Sequence, residues 1–202
     1  MNAGGQDLDF STTVFLVVDD KPFYRDMAHQ AVMRGKARDV KHAASLETAI
    51  QLLNRLGQGI DCVIVDWDIA PEGGLELLRK IRTKSLPKTP ARTPVVILTG
   101  KPDSAAVIAA KKLDVNGFAV APLSLEKLAK TIGNAIARTW TLQEPGVYAA
   151  VPGVLPLFRK MRSTEAAEVP VSAQHLARTC CTNPPLVASA VKMSTALASV
   201  PL

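Results

Sequence analysis

The sequence predicts an α/β fold: a doubly wound, five-stranded parallel sheet of (βα)5 type, followed by an irregular C-terminal tail. Three observations carry that expectation. Apolar runs at residues 13–18, 60–65 and 95–98 show no alternation, so each needs cover on both faces, as in a parallel sheet. Stretches with apolar residues at helical spacing recur between them. The connections are short enough for right-handed crossovers.

Taken in order, residues 1–11 are polar and glycine-bearing, a flexible lead. Residues 13–18 form the first strand and stop at Asp19-Asp20. Pro22 suits the first turn of a helix whose buried stripe is Met27, Ala31 and Val32 and which Gly35 ends. Residues 39–44 read as a weaker second strand. Ser45 caps a helix with Leu46, Ala49, Ile50, Leu53 and Leu56 on one face and Gly57 as its stop. The run 60–65 leads to Asp66, and Gly73-Gly74 breaks the chain before a face of Leu75, Leu78 and Ile81. Residues 95–98 lead to Thr99. Asp103 or Ser104 then caps a helix bearing Ala105, Ile108, Ala109 and Lys112. Residues 117–121 make a short fifth strand. Ser124 caps a last helix, with Leu125, Leu128, Ile132, Ala135 and Ile136 inward, reaching about Trp140.

Two regions stand apart. Residues 82–94 are basic and proline-rich, too long for a minimal connection, and read as a solvated loop after a slightly extended helix, with a partner contact as the alternative. From 141 to 202 the periodicity fails, and seven of the chain's 14 prolines fall there. This tail is expected to be mostly disordered or loosely docked, with a basic cluster at 159–162 and two helical turns at 172–178. The division is therefore 1–11 lead, 12–140 main domain and 141–202 tail.

Composition narrows the function. Of 202 residues, 48% are apolar, enough for a core, and 24 basic against 18 acidic residues leave a modest net charge of +6. That excess is too diffuse for a nucleic-acid binder, and 4% aromatics supply no stacking platform. Cys62, Cys180 and Cys181 form neither a disulfide framework nor a metal-ligand spacing. No leader or membrane-length apolar run is read, so a cytoplasmic location is expected.

The chemistry concentrates at strand ends. Asp19, Asp20 and Asp66 fall at the carboxyl ends of the first and third strands, where open parallel sheets place their sites. Converging carboxylates repel one another unless a cation compensates them. An oxygen-only set, without His or Cys, favours Mg²⁺, with Mn²⁺ as the alternative. Thr99 offers a hydroxyl at the end of the fourth strand. His29 and His42 have no acid or cysteine at ligand spacing and read as structural or surface residues; His175, Tyr24 and Tyr148 carry no chemical signal. Trp67 is expected to shield the site, and Trp140 to close the last helix.

Five segments in order, 15–20, 61–68, 74–82, 94–100 and 116–118, resemble the receiver domain of two-component response regulators, over about residues 12 to 138. The segment around Asp66-Trp67 is most similar to chemotaxis-type single-domain receivers. The resemblance implies Asp66 as phosphoacceptor, Asp19 and Asp20 as the acids that organise Mg²⁺, and Asp68 as a position lending a main-chain carbonyl to the metal. It implies Thr99 and Phe118 as switch residues, with Thr99 and Asp68 also touching the phosphoryl chemistry. The donor would be a histidine kinase or phosphotransfer protein, the output a downstream protein, and no nucleic acid or membrane is involved. Self-phosphorylation and autodephosphorylation are implied, without a separate enzymatic output domain. A homodimer through the fourth helix, fifth strand and fifth helix is one arrangement the resemblance allows.

One departure bears on activity. The family has Lys before the proline after the fifth strand, and this chain has Ala121-Pro122. Lys21 and Lys101 lie in loops expected on the same rim; neither is at the family position, and a replacement of the missing lysine by one of them is an alternative. A second reading follows: an atypical receiver that binds partners without depending on phosphorylation.

Overall fold

The computed structural model describes residues 8–100 and 104–151. Lys101, Asp103 and every expectation for 152–202, including the basic cluster, the turns at 172–178, His175 and Cys180-Cys181, lie outside the described residues. Five strands form one parallel sheet in the order β2-β1-β3-β4-β5: β1 (Val14–Val18), β2 (Asp39–Ala43), β3 (Cys62–Asp66), β4 (Val95–Thr99) and β5 (Gly117–Val120). The helices are α1 (Pro22–Arg34), α2 (Leu46–Leu56), α3 (Gly74–Arg82), α4 (Ser104–Lys112), α5 (Leu125–Ala137) and α6 (Pro145–Ala149). None of the described helices is long and apolar enough to cross a membrane.

Both faces of the sheet are covered, which explains the unalternating runs. Phe15, Val17, Cys62 and Ile64 pack with Ala28, Ala31 and Val32 of α1 and Leu128, Ala129, Ile132 and Ala135 of α5. Leu16, Val18, Val63 and Val65 pack on the opposite side with α2, α3 and α4. Ser45 and Ser124 act as the expected caps, accepting hydrogen bonds from the N–H groups of Thr48 and Lys127.

Several expectations need correction. The α4 face is rotated: Ala109, Ala110 and Leu113 are buried, whereas Ile108 is 54% exposed. In an alanine-rich helix neighbouring stripes are almost equally apolar, so pattern alone does not select one. Helix α5, expected to be the last and to reach about Trp140, stops at Ala137 and is followed by α6; Trp140 lies between them, stacked on Arg82 with the guanidinium carbon 4.6 Å from the ring centroid. The 82–94 connection is not merely solvated. Arg82 is fully buried and donates to the carbonyls of Ala91, Thr93 and Asp114 and to Asn116 Oδ1, and Leu86, Thr89, Ala91 and Thr93 of the same connection are buried.

The described chain is also packed outside 12–140. Phe10 is buried edge-on against Phe15. At the other end, α6 carries Tyr148 into the α2–α4 side of the core.

Candidate functional site

β1 and β3 are neighbours in the centre of the sheet, with Val18 beside Val65, so the residues that follow them share one edge. This is also where strand order reverses, the place such sheets leave a crevice. Carboxylate oxygens of Asp19, Asp20 and Asp66 lie within 4.8 Å of one another there. Asp19 and Asp66 are buried, and Asp20 is exposed at the mouth. The three predicted acids are therefore brought together.

The loop that presents them is held by its own backbone. The N–H of Asp19 donates to the Ala43 carbonyl at 3.1 Å. Asp19 Oδ1 accepts from the Lys21 N–H at 2.8 Å, and Arg25 Nη1 donates to the Asp19 carbonyl at 2.8 Å. On the β3 side the chain must turn within a few residues. Gly73 adopts a positive φ of 80°, and a Cβ at Gly74 would stand 2.5 Å from the Asp66 carbonyl oxygen. Only glycine at 74 lets α3 begin this close to the acid-bearing strand end.

Crowded acids resist ionising. Burial, followed by the charge of Asp19, pushes the Asp66 carboxyl up to about 7. Burial likewise raises Asp19, against the opposing Lys21 N–H. A cation answers them. Lys21 Nζ lies 4.0 Å from Asp66 Oδ2 and 3.8 Å from Asp20 Oδ1. Burial favours its neutral form, but the charges of Asp66, Asp20, Asp19 and Asp68 outweigh that and hold its pKa above the ordinary lysine value.

The remaining predicted residues surround this cradle. Thr99 is buried at the end of β4, whose Leu98 pairs with Asp66. Phe118 is on β5 opposite Ile97, its ring 6.2 Å from that of Trp67. Trp67 is 2% exposed and belongs to the core on the α2–α4 side, against which Phe118 is partly buried. The Asp68 side chain is outside the three-acid cluster, though its charge acts on Asp66 and Lys21. Ala121 lines an apolar groove with Phe23, Tyr24, Met27, Gly100, Pro122 and Leu123.

A hard divalent cation fits these residues. Asp66 Oδ2 is closed off from solvent and has no hydrogen-bond partner, an orphaned acceptor of the kind a cation satisfies. The donor set is oxygen alone, the chemistry Mg²⁺ prefers.

Sequence reasoning missed two features around the site. Arg25, one turn into α1, pins the acid loop through the Asp19 carbonyl, and nothing in a helical arginine signals that. His29 and His42 are stacked, with Nδ1 and Nε2 3.2 Å apart. They come from α1 and β2, so only the register of β2 beside β1 brings them together.

The strand order and the acid cluster define a doubly wound α/β module with an acidic edge. The chain belongs to the response regulator receiver domain family, which matches residues 15–133. The chemotaxis protein CheY homolog of Campylobacter jejuni is 29% identical over 121 residues, 60% of this chain and 90% of its own length. Chemotaxis protein CheY1 of Helicobacter pylori is 29% identical over 119 residues, covering 58% of this chain and 91% of its own. Among solved structures, a response regulator receiver domain protein from Clostridium thermocellum is 27% identical with a TM-score of 0.54. That likeness spans 62% of this chain and 95% of the other.

Proposed function

We propose that this chain is a cytoplasmic phosphoacceptor, in which Asp66 takes a phosphoryl group from a phosphohistidine on a histidine kinase or phosphotransfer protein. The observation that supports it best is the convergence of Asp19, Asp20 and the orphaned Asp66 oxygen at one sheet edge. An Asp66 carboxylate oxygen attacks phosphorus in line, forming an acyl phosphate as the P–N bond breaks; the donor imidazole keeps that electron pair. Water later attacks phosphorus, releasing inorganic phosphate and restoring the carboxylate. Mg²⁺ held by Asp19, Asp20 and Asp66, with a main-chain carbonyl from Asp68, would neutralise charge on the transferring group.

Thr99 would offer its hydroxyl to a phosphoryl oxygen. Movement of Thr99 toward that group would open space that Phe118 takes up, changing the surface made by α4, β5 and α5. A downstream protein reads that surface.

A second reading is favoured by Ala121 alone: with no lysine there, partner binding could run independently of phosphorylation. Labelling with a radioactive small acyl phosphate separates the two. Mg²⁺-dependent label on the native chain, absent from Asp66→Asn, is the expected result. No label at saturating donor and Mg²⁺ favours the interaction module.

A further inference from the structure

A phosphoryl group on Asp66 would replace its single carboxylate charge with a dianion, beside the carboxylates of Asp19 and Asp20. At position 121 the chain has no charge to meet it. Ala121 contributes only apolar surface, in the groove with Pro122 and Leu123. A cation nevertheless stands at the cradle, entering from the other side. Lys21 Nζ reaches to 4.0 Å from Asp66 Oδ2 and 3.8 Å from Asp20 Oδ1.

The base of that side chain is fixed, and its length reaches into solvent. The Lys21 N–H is tied to Asp19 Oδ1, and Pro22 starts α1 directly after it. The side chain itself is 55% exposed, so its four methylenes can follow a group that grows outward from Asp66. Arg25, the next basic group along α1, is committed to the Asp19 carbonyl.

We propose that Lys21 pairs with the phosphoryl group on Asp66, supplying from the β1–α1 loop the contact that Ala121 cannot make from the β5–α5 loop. This rests on the phosphoacceptor reading. It carries a consequence that a purely structural lysine would not have. Before phosphorylation, Lys21 and a divalent ion are drawn to the same carboxylates, so Lys21 opposes the ion. After phosphorylation, both are drawn to the new oxygens, so Lys21 supports the adduct. Removing its charge therefore has opposite effects on the two states.

Calorimetric titrations of the full chain test this, first with Mg²⁺ alone and then with beryllium fluoride, a phosphoryl mimic, at saturating Mg²⁺. Lys21→Ala should bind Mg²⁺ several-fold more tightly and beryllium fluoride about tenfold more weakly, the scale of one lost charge-assisted hydrogen bond. Lys21→Arg should retain most of the beryllium fluoride affinity, and Ala121→Lys added to Lys21→Ala should restore it. Thermal melts confirm that each variant folds. Unchanged beryllium fluoride affinity in Lys21→Ala overturns the proposal, as does a loss produced by Lys101→Ala instead. A native chain that binds no Mg²⁺ overturns the phosphoacceptor reading and this proposal with it.

Discussion

His42 shows how placement rather than identity sets a residue's chemistry. Burial, then the neighbouring His29 and Arg25, lowers its pKa below the ordinary 6.5, against a weaker pull from Asp26. The folded chain thus holds His42 neutral where the unfolded chain binds a proton, so stability is present above pH 6.5 and declines as pH falls through the folded pKa. Proton-detected imidazole titrations should place His42 below 6.5 in the native protein, and His29→Gln should move it upward. An unmoved His42 in that variant would mean that the stacked pair is not electrostatically coupled. The same logic separates legible from illegible residues at the acid edge. Asp19, Asp20 and Asp66 could be placed from sequence because strand ends are local features and carboxylates there have one plausible destination. Lys21 could be put on the same rim, but its distance to Asp66 was not legible, since it depends on how one loop turns between β1 and α1.

At the scale of elements, the turn between β3 and α3 decides where Asp66 sits. A methyl group at Gly74 would meet the Asp66 main-chain oxygen, which cannot swing aside as a side chain can. Gly74→Ala should destabilise the fold by about 1–3 kcal/mol, the usual cost of forcing atoms into a packed site, and should weaken Mg²⁺ binding as well. Gly59→Ala, whose Cβ would meet nothing within 4 Å, serves as the control and should stay within about 0.5 kcal/mol. Urea titrations of the two variants read the difference. Caps, apolar runs and glycine stops were legible because each is written within a few residues: Ser45 with Thr48, or Ser124 with Lys127. The buried Arg82 was not. Its partners come from residues 91, 93, 114 and 116, a set assembled only when α3 lies against the β4 and β5 entries. A basic residue at a helix end in a basic, proline-rich stretch looks like surface until that happens.

Over the whole molecule, the Arg82 cluster and the acid cradle occupy opposite edges of the sheet. The acids follow the carboxyl ends of β1 and β3, while Asp114 and Asn116 precede the start of β5. The family match ends at 133, yet the packed chain continues through Trp140 over Arg82 to α6. There the Tyr148 hydroxyl donates to Asp114 Oδ2 at 2.8 Å and accepts from the Gln143 N–H at 2.8 Å. Gln143 Nε2 donates to the same Asp114 oxygen at 3.0 Å. Tyr148 is completely buried, so α6 fills part of the α2–α4 side of the core rather than resting on it. Truncating it should leave a cavity. Tyr148→Ala is expected to cost about 3–5 kcal/mol, as for other buried aromatic-to-alanine changes. Tyr148→Phe keeps the ring but strips the hydroxyl from Asp114 and the Gln143 N–H, for about 1–2 kcal/mol. Because this anchor lies at the far edge from Asp66, the folded fraction of either variant should bind Mg²⁺ with native affinity. Denaturant titrations paired with Mg²⁺ calorimetry test both halves. A Tyr148→Ala chain of native stability would show α6 to be a passenger. One of lowered stability and altered Mg²⁺ affinity would show that the two edges communicate through β4 and β5, the strands that join them.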